Sequence, residues 1–245
     1  GEAANLKPIA DTSEDRVFVH IRLAGDDTHD KLVAQVKKLG RPLIEIELGD
    51  RYDIAAEFFR WEFATAVAGA VIGVNPFDEP NVTDSKINTK RLLEEHEEVG
   101  AFSSETGSKS ANSQINKFLR SAKHGDYVSI QAYLPEYGEV AEHVAKFRQL
   151  VSDKTGVPVT VGYGPRFLHS TGQLHKGGGG NVVAVQLTCD VEDDVAIPGA
   201  PYTFGTLIRA QALGDFESLR AHGRRVIRMH LGYDAVAGLK KLMRT

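Results

Sequence analysis

The sequence predicts an α/β protein in two parts, a first segment with a parallel sheet and a second, α+β domain. Three observations support this fold class. Short apolar runs with strand composition alternate with helical, amphipathic runs. A Ser/Gly-rich stretch without periodicity, Gly100 to Ser113, separates two compositional halves. The 245 residues, 42% of them apolar, are enough for two modest domains. We therefore predict domains at 1–99 and 114–245, joined by a linker at 100–113.

The first segment begins with a βαβ unit. The run VFVHIRL at 17–23 predicts a strand, residues 28–39 an amphipathic helix stopped by Gly40, and PLIEIEL at 42–48 a second strand. A strand, a crossover helix and a strand favour parallel pairing. The long helix that follows, 53–72, ends in ATAVAGAVIG, which is apolar on nearly every face. Such a helix is expected to be buried between other elements.

The second domain alternates strands and helices, with irregular loops between them. We predict strands at 127–133, 158–163, 181–189 and 225–231, and helices at 137–155, 204–221 and from 234 onward. Without its loops the order is β-α-β-β-α-β. That order is typical of a split βαβ, or ferredoxin-like, sheet.

Composition and charge exclude several function classes. The formal charge of −4, from 29 Lys and Arg against 33 Asp and Glu, lacks the basic face that nucleic acid requires. No apolar run approaches the roughly 20 residues that cross a bilayer, so we expect no membrane partner. The single Cys189 excludes an internal disulfide and indicates a reducing compartment, which predicts a cytoplasmic location. His169 and His175 lack a metal-ligand spacing and a third ligand, so no metal is predicted.

A first candidate motif is NPFDEPNVTDSK at 75–86. Its first residues are turn formers, and Thr83 or Asp84 is well placed to cap a helix running to about Glu98. Lys86 would then lie in the first helical turn, where a cation opposes the helix dipole unless an anion is bound nearby. A helix N-terminus with an ammonium group suits a phosphate or a developing oxyanion. The alternative is a solvated lysine on an exposed turn.

A second candidate motif is GYGPRFLHSTGQLHKGGGG at 162–180, a loop that follows a predicted strand. Its polar groups include Arg166, His169, Gln173, His175 and Lys176. A histidine exchanges protons near neutral pH, and a guanidinium binds phosphate through two hydrogen bonds. The glycines at 177–180 are compatible with a backbone phosphate cradle or with a flexible hairpin loop.

These motifs resemble those of phosphoglucose isomerases. AGAVIGVNPFDEPNVTDSK is similar to the family's apolar helix, Asn-x-Phe-Asp turn and active-site lysine, and Lys86 falls on that lysine. LHSTGQ is similar to the motif that carries the ring-opening histidine, here His169. Together with IPGAPYTFGTLIRAQALGDFESL and GRRVIRMHL, the chain from about Lys7 to Leu231 resembles the C-terminal end of bifunctional transaldolase/phosphoglucose isomerases.

The resemblance implies a sugar-isomerase-type half domain and the interconversion of glucose 6-phosphate and fructose 6-phosphate without a metal or cofactor. It implies that Lys86 assists ring opening and stabilises developing charge, and that His169 exchanges the ring proton. Residues implied to bind substrate are Arg166, Gln173, His175 and Lys176. The implied partners are a sugar phosphate and either a second copy, in a homo-oligomer, or the remainder of a longer chain.

Two departures from the family keep other functions open. In ordinary isomerases the histidine motif precedes the lysine motif, whereas His169 follows Lys86 by 83 residues. The family's Glu-Ser-x-Gly-Lys motif, which carries the catalytic base, has no match in this sequence. We therefore expect the chain to be the C-terminal part of a longer enzyme, incomplete by itself. The alternatives are a non-catalytic sugar-phosphate-binding module and a dimerisation module.

Overall fold

The computed structural model describes residues 17–102 and 113–244. It confirms an α/β protein with parallel sheets. The chain divides into two compact units between Asp78 and Glu79. Within the described ranges, no helix combines the length and the apolar composition that crossing a membrane requires.

The smaller unit contains the predicted parallel βαβ unit. Its elements are β1 (Phe18–Leu23), α1 (Asp30–Lys38), β2 (Leu43–Leu48) and α2 (Ile54–Ile72). Strands β1 and β2 pair in parallel from Phe18 opposite Leu43 to Leu23 opposite Leu48. Helix α1 buries Val33 and Val36, which lie three residues apart on one face.

Helix α2 does not have the burial that its sequence predicts. Phe58, Phe59 and Phe63 are 62%, 71% and 63% exposed, and the buried residues of the helix are Glu57 and Gly69. The described part of this unit offers two strands, one nine-residue helix and a 3₁₀ helix, Arg51–Asp53, besides α2. These elements are too few to cover every face of a 19-residue apolar helix. The expectation of a fully buried helix is therefore wrong for the described chain, and α2 presents an exposed apolar face.

The larger unit is built on one four-stranded sheet. Its strands are β3 (Tyr127–Tyr133), β4 (Val159–Tyr163), β5 (Val182–Thr188) and β6 (Arg225–His230), in the order β4-β3-β5-β6. Its helices are α3 (Pro80–Val99), α4 (Gln114–Leu119), α5 (Gly138–Thr155), α6 (Gly172–Gly177), α7 (Phe204–Ala221) and α8 (Ala235–Met243). All three neighbouring strand pairs are parallel.

The ferredoxin-like prediction for this unit is wrong, because that fold requires mostly antiparallel neighbours. The connection from β4 to β5 contains a 3₁₀ helix, Arg166–His169, and α6, so it is a crossover that returns the chain in parallel. The strand order is that of a doubly wound sheet. The chain places β4 on one side of β3 and then β5 and β6 on the other, so the direction of winding reverses between β3 and β5.

The two faces of the sheet differ in chemistry. One face carries apolar side chains that pack into a common core with α4, α5 and α8: Val128, Ile130, Val183, Val185, Leu187, Ile227 and Met229. The opposite face carries polar side chains in rows across the strands: Gln131, Gln186 and Arg228 in one row, and Tyr133, Thr188 and His230 in the next. The amide nitrogen of Gln186 donates to the Ala212 carbonyl of α7 at 2.9 Å, so α7 covers this polar face.

Helix α3 packs within the larger unit, although the sequence predicted it to belong to the first segment. Leu92 is buried with Ala210 and Leu213 of α7. The Arg91 guanidinium lies 2.5 Å from the Glu217 carboxylate. The structure therefore divides the chain at 78/79 rather than at the predicted linker 100–113, of which residues 103–112 lie outside the described ranges. The composition of residues 100–113 indicated a loop, but composition does not show that the preceding helix, α3, packs against α7.

Candidate functional site

A cavity of about 310 Å³, here called the lysine cavity, lies within the larger unit between α3, the 3₁₀ helix, α6 and the region of α7. Its lining residues are Ser85, Lys86, Thr89, Lys90, Leu93, Leu168, His169, Lys176, Tyr202 and Gln211. Lys86, His169 and Lys176, three of the site residues predicted from the two motifs, thus line one cavity. The packing of α3 against α6 and α7 brings the two motifs together.

Helix α3 presents Lys86 from its second turn. The helix begins at Pro80 after the N-cap residue Glu79, about one turn earlier than the predicted cap at Thr83 or Asp84. Lys86 is therefore not in the first turn, and the helix dipole, which acts mainly on that turn, does not explain it. Lys86 and Lys90 are four residues apart and lie on the same helical face. Both ammonium groups can therefore act on one anionic ligand.

Gln173 holds the start of α3 rather than lining the cavity. Its side-chain oxygen accepts a hydrogen bond from the Asn81 backbone N–H at 3.0 Å, and its amide nitrogen donates to the Asn81 side-chain oxygen at 2.7 Å. The Asn81 amide in turn donates to Nε2 of His222 at 2.8 Å. The first N–H groups of a helix have no partner within the helix, so Gln173 acts as a cap supplied by α6. It was predicted to bind substrate, and in the structure it positions the helix that carries Lys86.

Lys176 forms the buried floor of the lysine cavity. Its Nζ lies 2.5 Å from Oδ1 of Asp215, and both side chains are 1% exposed. Burial raises the pKa of the Asp215 carboxyl above its usual value, and the charge of Lys176 acts in the opposite direction. Such a pair is sensitive to the loss of one partner, because the remaining charge would be buried without compensation.

His175 lies inside the unit, away from the lysine cavity. Its Nδ1 accepts from the Gln131 amide at 3.2 Å, and its Nε2 lies 3.2 Å from the Ser129 hydroxyl. Burial, with a smaller effect of the Lys176 charge, lowers the pKa of His175 to about 4. The imidazole is therefore neutral at pH 7. His175 was predicted to bind substrate, and the structure instead brings it against the polar face of the sheet.

Arg166 and the glycine run also lie apart from the lysine cavity. The Arg166 guanidinium pairs with the Glu136 carboxylate at 2.5 Å, on the surface. The Arg224 guanidinium donates to the backbone carbonyls of Lys176 and Gly178. Carbonyl oxygens facing a cation are the opposite of the N–H groups that cradle phosphate. The structure therefore does not bring the predicted phosphate-binding groups of this loop to the cavity.

A second cavity, of about 810 Å³, opens at the carboxyl ends of β3, β5 and β6. We call it the edge cavity. The row formed by Tyr133, Thr188 and His230, with Arg228 behind it, belongs to its lining. The sequence reasoning missed this site. The sequence pattern that could have indicated it is the alternation in RVIRMH, the sequence of β6, which places Arg228 and His230 on the face opposite Ile227 and Met229.

The lysine cavity has the chemistry of an anion site. Two lysines of α3, a histidine and a buried lysine line it, together with hydroxyl and amide groups from Ser85, Thr89, Tyr202 and Gln211. Among the described residues, its lining contains no Asp or Glu. The same described ranges hold no cluster of three or more His, Cys, Asp or Glu able to bind a metal ion. The cavity can thus bind an anion with hydroxyl groups, but it does not itself hold a carboxylate base.

These features define a class of protein: an α/β protein with parallel sheets, whose larger unit carries a doubly wound sheet and a lysine-lined cavity. No family model and no curated protein matches the sequence. Among solved structures, the chain is similar to a hypothetical protein, TT0462, from Thermus thermophilus, at 16% identity and a TM-score of 0.47. The match covers 92% of this chain and 54% of that one, so the chain spans about half the length of that protein.

Proposed function

We propose that the lysine cavity binds a sugar phosphate and forms part of a glucose-6-phosphate isomerase site. In this proposal the chain is the C-terminal part of a transaldolase/isomerase fusion, as its resemblance to that family implies. The observation that carries the proposal is the shared cavity. Lys86 and His169, one from each family motif, line the same space of about 310 Å³ although 83 residues separate them.

The shared cavity also bears on the reversed order of the two motifs in the chain. An active site depends on the positions of side chains in space and not on their order in the chain. Here α3 and the loop after β4 meet through Gln173 and Asn81, so a lysine motif that precedes the histidine motif still reaches the same cavity. The reversed order is therefore compatible with the proposed site.

The histidine and the lysines of the lining have roles in the proposed reaction. An aldose–ketose isomerase opens the sugar ring and then moves a proton between C2 and C1 through an enediolate. His169 exchanges the proton of the ring oxygen, because an imidazole donates and accepts protons near neutral pH. The Lys86 ammonium stabilises negative charge on the sugar oxygens. Lys90 attracts the phosphate group, and Lys176, paired with Asp215, supports the floor of the cavity.

The proposed site needs a base that this cavity does not hold. Proton transfer between C2 and C1 requires a group such as a carboxylate over the enediolate. No Asp or Glu lines the cavity among the described residues, so the proposal takes the base from another segment of a longer polypeptide or from another copy. We therefore expect this chain by itself to bind sugar phosphates without isomerising them.

The same lack of a carboxylate favours a second candidate function, a non-catalytic sugar-phosphate-binding module. The exposed apolar face of α2 favours a third, a dimerisation module. The isomerase and the binding module predict the same binding by this chain and differ in turnover by the whole polypeptide. The dimerisation module predicts no sugar-phosphate binding.

Calorimetric titration with fructose 6-phosphate tests the proposed site. We expect binding by the chain, a loss of about tenfold or more in affinity for Lys86→Ala and for His169→Gln, and no change for Lys146→Ala, an exposed lysine of α5. Normal affinity in both cavity variants would show that the site lies elsewhere. A coupled isomerase assay on the longer polypeptide then separates the candidates, because Lys86→Ala abolishes turnover only if the cavity is catalytic.

A further inference from the structure

The edge cavity lies where a doubly wound sheet forms its ligand crevice. The winding direction reverses between β3 and β5, and the helices that follow these strands, α5 and α7, pack on opposite faces of the sheet. Such a reversal leaves an opening beyond the carboxyl ends of the two strands. The cavity of about 810 Å³ is lined at this position by Tyr133 and Leu134 from the end of β3 and by Thr188 and Cys189 from the end of β5.

A fixed row of polar groups lines the edge cavity. Tyr133, Thr188 and His230 are register partners on adjacent strands, so their side chains lie side by side on one face. The Thr188 hydroxyl lies 3.1 Å from Nδ1 of His230, and Nε2 of His230 lies 3.1 Å from the Asp190 carboxylate. These hydrogen bonds fix the orientation of the imidazole.

The Tyr133 hydroxyl is a buried donor without an acceptor. The side chain is only 5% exposed, and the described residues give its hydroxyl no hydrogen-bond partner. The ring packs edge-on against Phe167 at 5.6 Å and lies so close to Gly164 that a Cβ there would be 2.5 Å from ring carbon Cε1. Burial raises the pKa of Tyr133 well above its usual value, so the hydroxyl keeps its proton. A ligand oxygen in the cavity would satisfy this donor.

Positive charge also lines the cavity. The Arg228 side chain, 1% exposed, forms part of its wall, and Arg209 lies over the Phe102 ring at 5.9 Å. Tyr137 and Val140, at the start of α5, line it as well, and α5 begins without a side-chain cap.

By contrast, carboxylates already cap the other two helices that start beside the edge cavity. Asp194 accepts from the Gly205 N–H of α7 at 2.7 Å, and Asp234 accepts from the Ala237 N–H of α8 at 2.9 Å. The N–H groups at the start of α5 therefore remain for an anion in the cavity.

The size and lining of the edge cavity indicate that an anionic group bound there belongs to a larger ligand. Its volume is more than twice that of the lysine cavity and exceeds what an inorganic anion fills. Phe102, Tyr137 and Tyr233 supply aromatic wall, and the two tyrosines are 76% and 68% exposed. Exposed aromatic rings offer faces on which a planar ring can stack. The lining also holds four carboxylates, Asp190, Glu192, Asp194 and Asp234, which disfavour ligands that carry several negative charges along their length.

We propose that the edge cavity binds a nucleoside monophosphate, with the phosphate near Tyr133, Arg228 and the start of α5 and the base against the exposed tyrosines. This binding is separate from the proposed sugar-phosphate site, because the residues that line the two cavities do not overlap in the described chain. Tyr133 donates to a phosphate oxygen, and the guanidinium of Arg228 supplies the opposite charge.

Titration of the Lys86→Ala variant, in which the proposed sugar-phosphate site is weakened, with adenosine monophosphate, adenosine, ribose 5-phosphate and inorganic phosphate tests the proposed ligand class. We expect the monophosphate to bind at least about tenfold more tightly than each of the other three probes, because adenosine lacks the phosphate and the other two lack the base. Equal binding of adenosine would overturn the role of the phosphate, and equal binding of ribose 5-phosphate or phosphate would overturn the role of the base. No binding of the monophosphate at millimolar concentration would overturn the proposal as a whole.

Tyr133→Phe separates a ligand role from a structural role, because it removes one oxygen from a well-packed ring. If the hydroxyl serves the ligand, affinity for adenosine monophosphate falls about fivefold or more while the melting temperature stays equal or rises. Reduced stability with unchanged affinity would instead show a structural role and overturn the assignment. Tyr163→Phe, at the end of β4 and outside the cavity lining, is the matched control and should change neither quantity. Lys86→Ala should retain monophosphate affinity, and a loss there would show that the two ligands share one site.

Discussion

At the scale of single residues, the larger unit buries full charges beneath its candidate site. Lys176 and Asp215 pair at 2.5 Å with side chains that are 1% exposed. Removing one partner of such a pair leaves a charge without compensation, whereas replacing both with apolar groups is often tolerated. The pair therefore supports the floor of the lysine cavity only while both members are present.

Asp215→Asn tests this dependence. We expect a loss of about 3 to 5 kcal/mol in the free energy of unfolding, measured with urea, because the Lys176 ammonium stays buried without its counter-ion. The double variant Lys176→Met, Asp215→Leu should recover most of that loss. If the single variant proved as stable as the original chain, the ion pair would not contribute to folding as argued.

His175 gives the protein a defined dependence of stability on pH. Its folded-state pKa is about 4, against an ordinary value of 6.5 in the unfolded chain. Between these values the unfolded state binds more protons, so the free energy of unfolding falls as pH drops from 6.5 toward 4, by about 3 kcal/mol from this group. Above pH 6.5 the contribution is constant. His175→Gln should flatten the curve in this window, whereas His124→Gln, at an exposed histidine, should leave its slope unchanged.

Some residues of the candidate sites could be identified from the sequence, and others only from the structure. Lys86 and His169 could be selected from the sequence because local motifs carry them. Arg228 and Tyr133 could not, since their place beside the edge cavity depends on which strands are neighbours. His175 was misassigned because a loop of polar residues does not reveal which side chains a short helix turns inward. In α6 the turn buries His175 and exposes Leu174.

At the scale of secondary-structure elements, the contact between α3 and α7 determines whether the lysine cavity exists. Gly214 of α7 lies where a Cβ would stand 3.0 Å from the backbone nitrogen and the hydroxyl oxygen of Thr89. Thr89 belongs to the cavity lining, one turn after Ser85. The close approach of the two helices therefore depends on a residue without a side chain.

Gly214→Ala is expected to separate the two helices. The added methyl group should lower the free energy of unfolding by about 1 to 3 kcal/mol and weaken fructose 6-phosphate binding, because α3 carries Lys86 and Lys90. Gly172→Ala in α6 is a suitable control for stability, since its Cβ would meet its nearest neighbour at an ordinary 3.6 Å. Equal stability of the Gly214 variant and the unaltered chain would contradict the close-packing argument.

The strands and long helices were predictable from the sequence, but their pairing was not. All four strands of the larger sheet were predicted close to their observed bounds, because each is a short apolar run between turn residues. The segment between β4 and β5 has too many glycines and polar residues to show a helical period. The sequence therefore did not predict that this segment is a crossover connection between parallel strands. Without that crossover, the order of elements suggested a ferredoxin-like sheet instead of a parallel one.

At the scale of the whole molecule, the larger unit buries a large main core with smaller clusters beside it, whereas the smaller unit leaves much apolar surface exposed. The larger sheet is covered on its apolar face by α4, α5 and α8 and on its polar face by α7. In the smaller unit, β1, β2 and α2 all expose large apolar side chains, among them Val19, Ile21, Ile44, Phe58 and Phe59. Contiguous exposed apolar surface indicates a site of association.

This surface predicts self-association through α2. Phe59 and Phe63 stack on its exposed side with ring centroids 6.3 Å apart, and we expect the chain to sediment above its monomer mass at micromolar concentration. The double variant Phe59→Ser, Phe63→Ser should shift it toward the monomer without loss of helical circular dichroism, while Phe204→Ser, at an exposed phenylalanine of α7, should not. A monomeric original chain would contradict the predicted homo-oligomer.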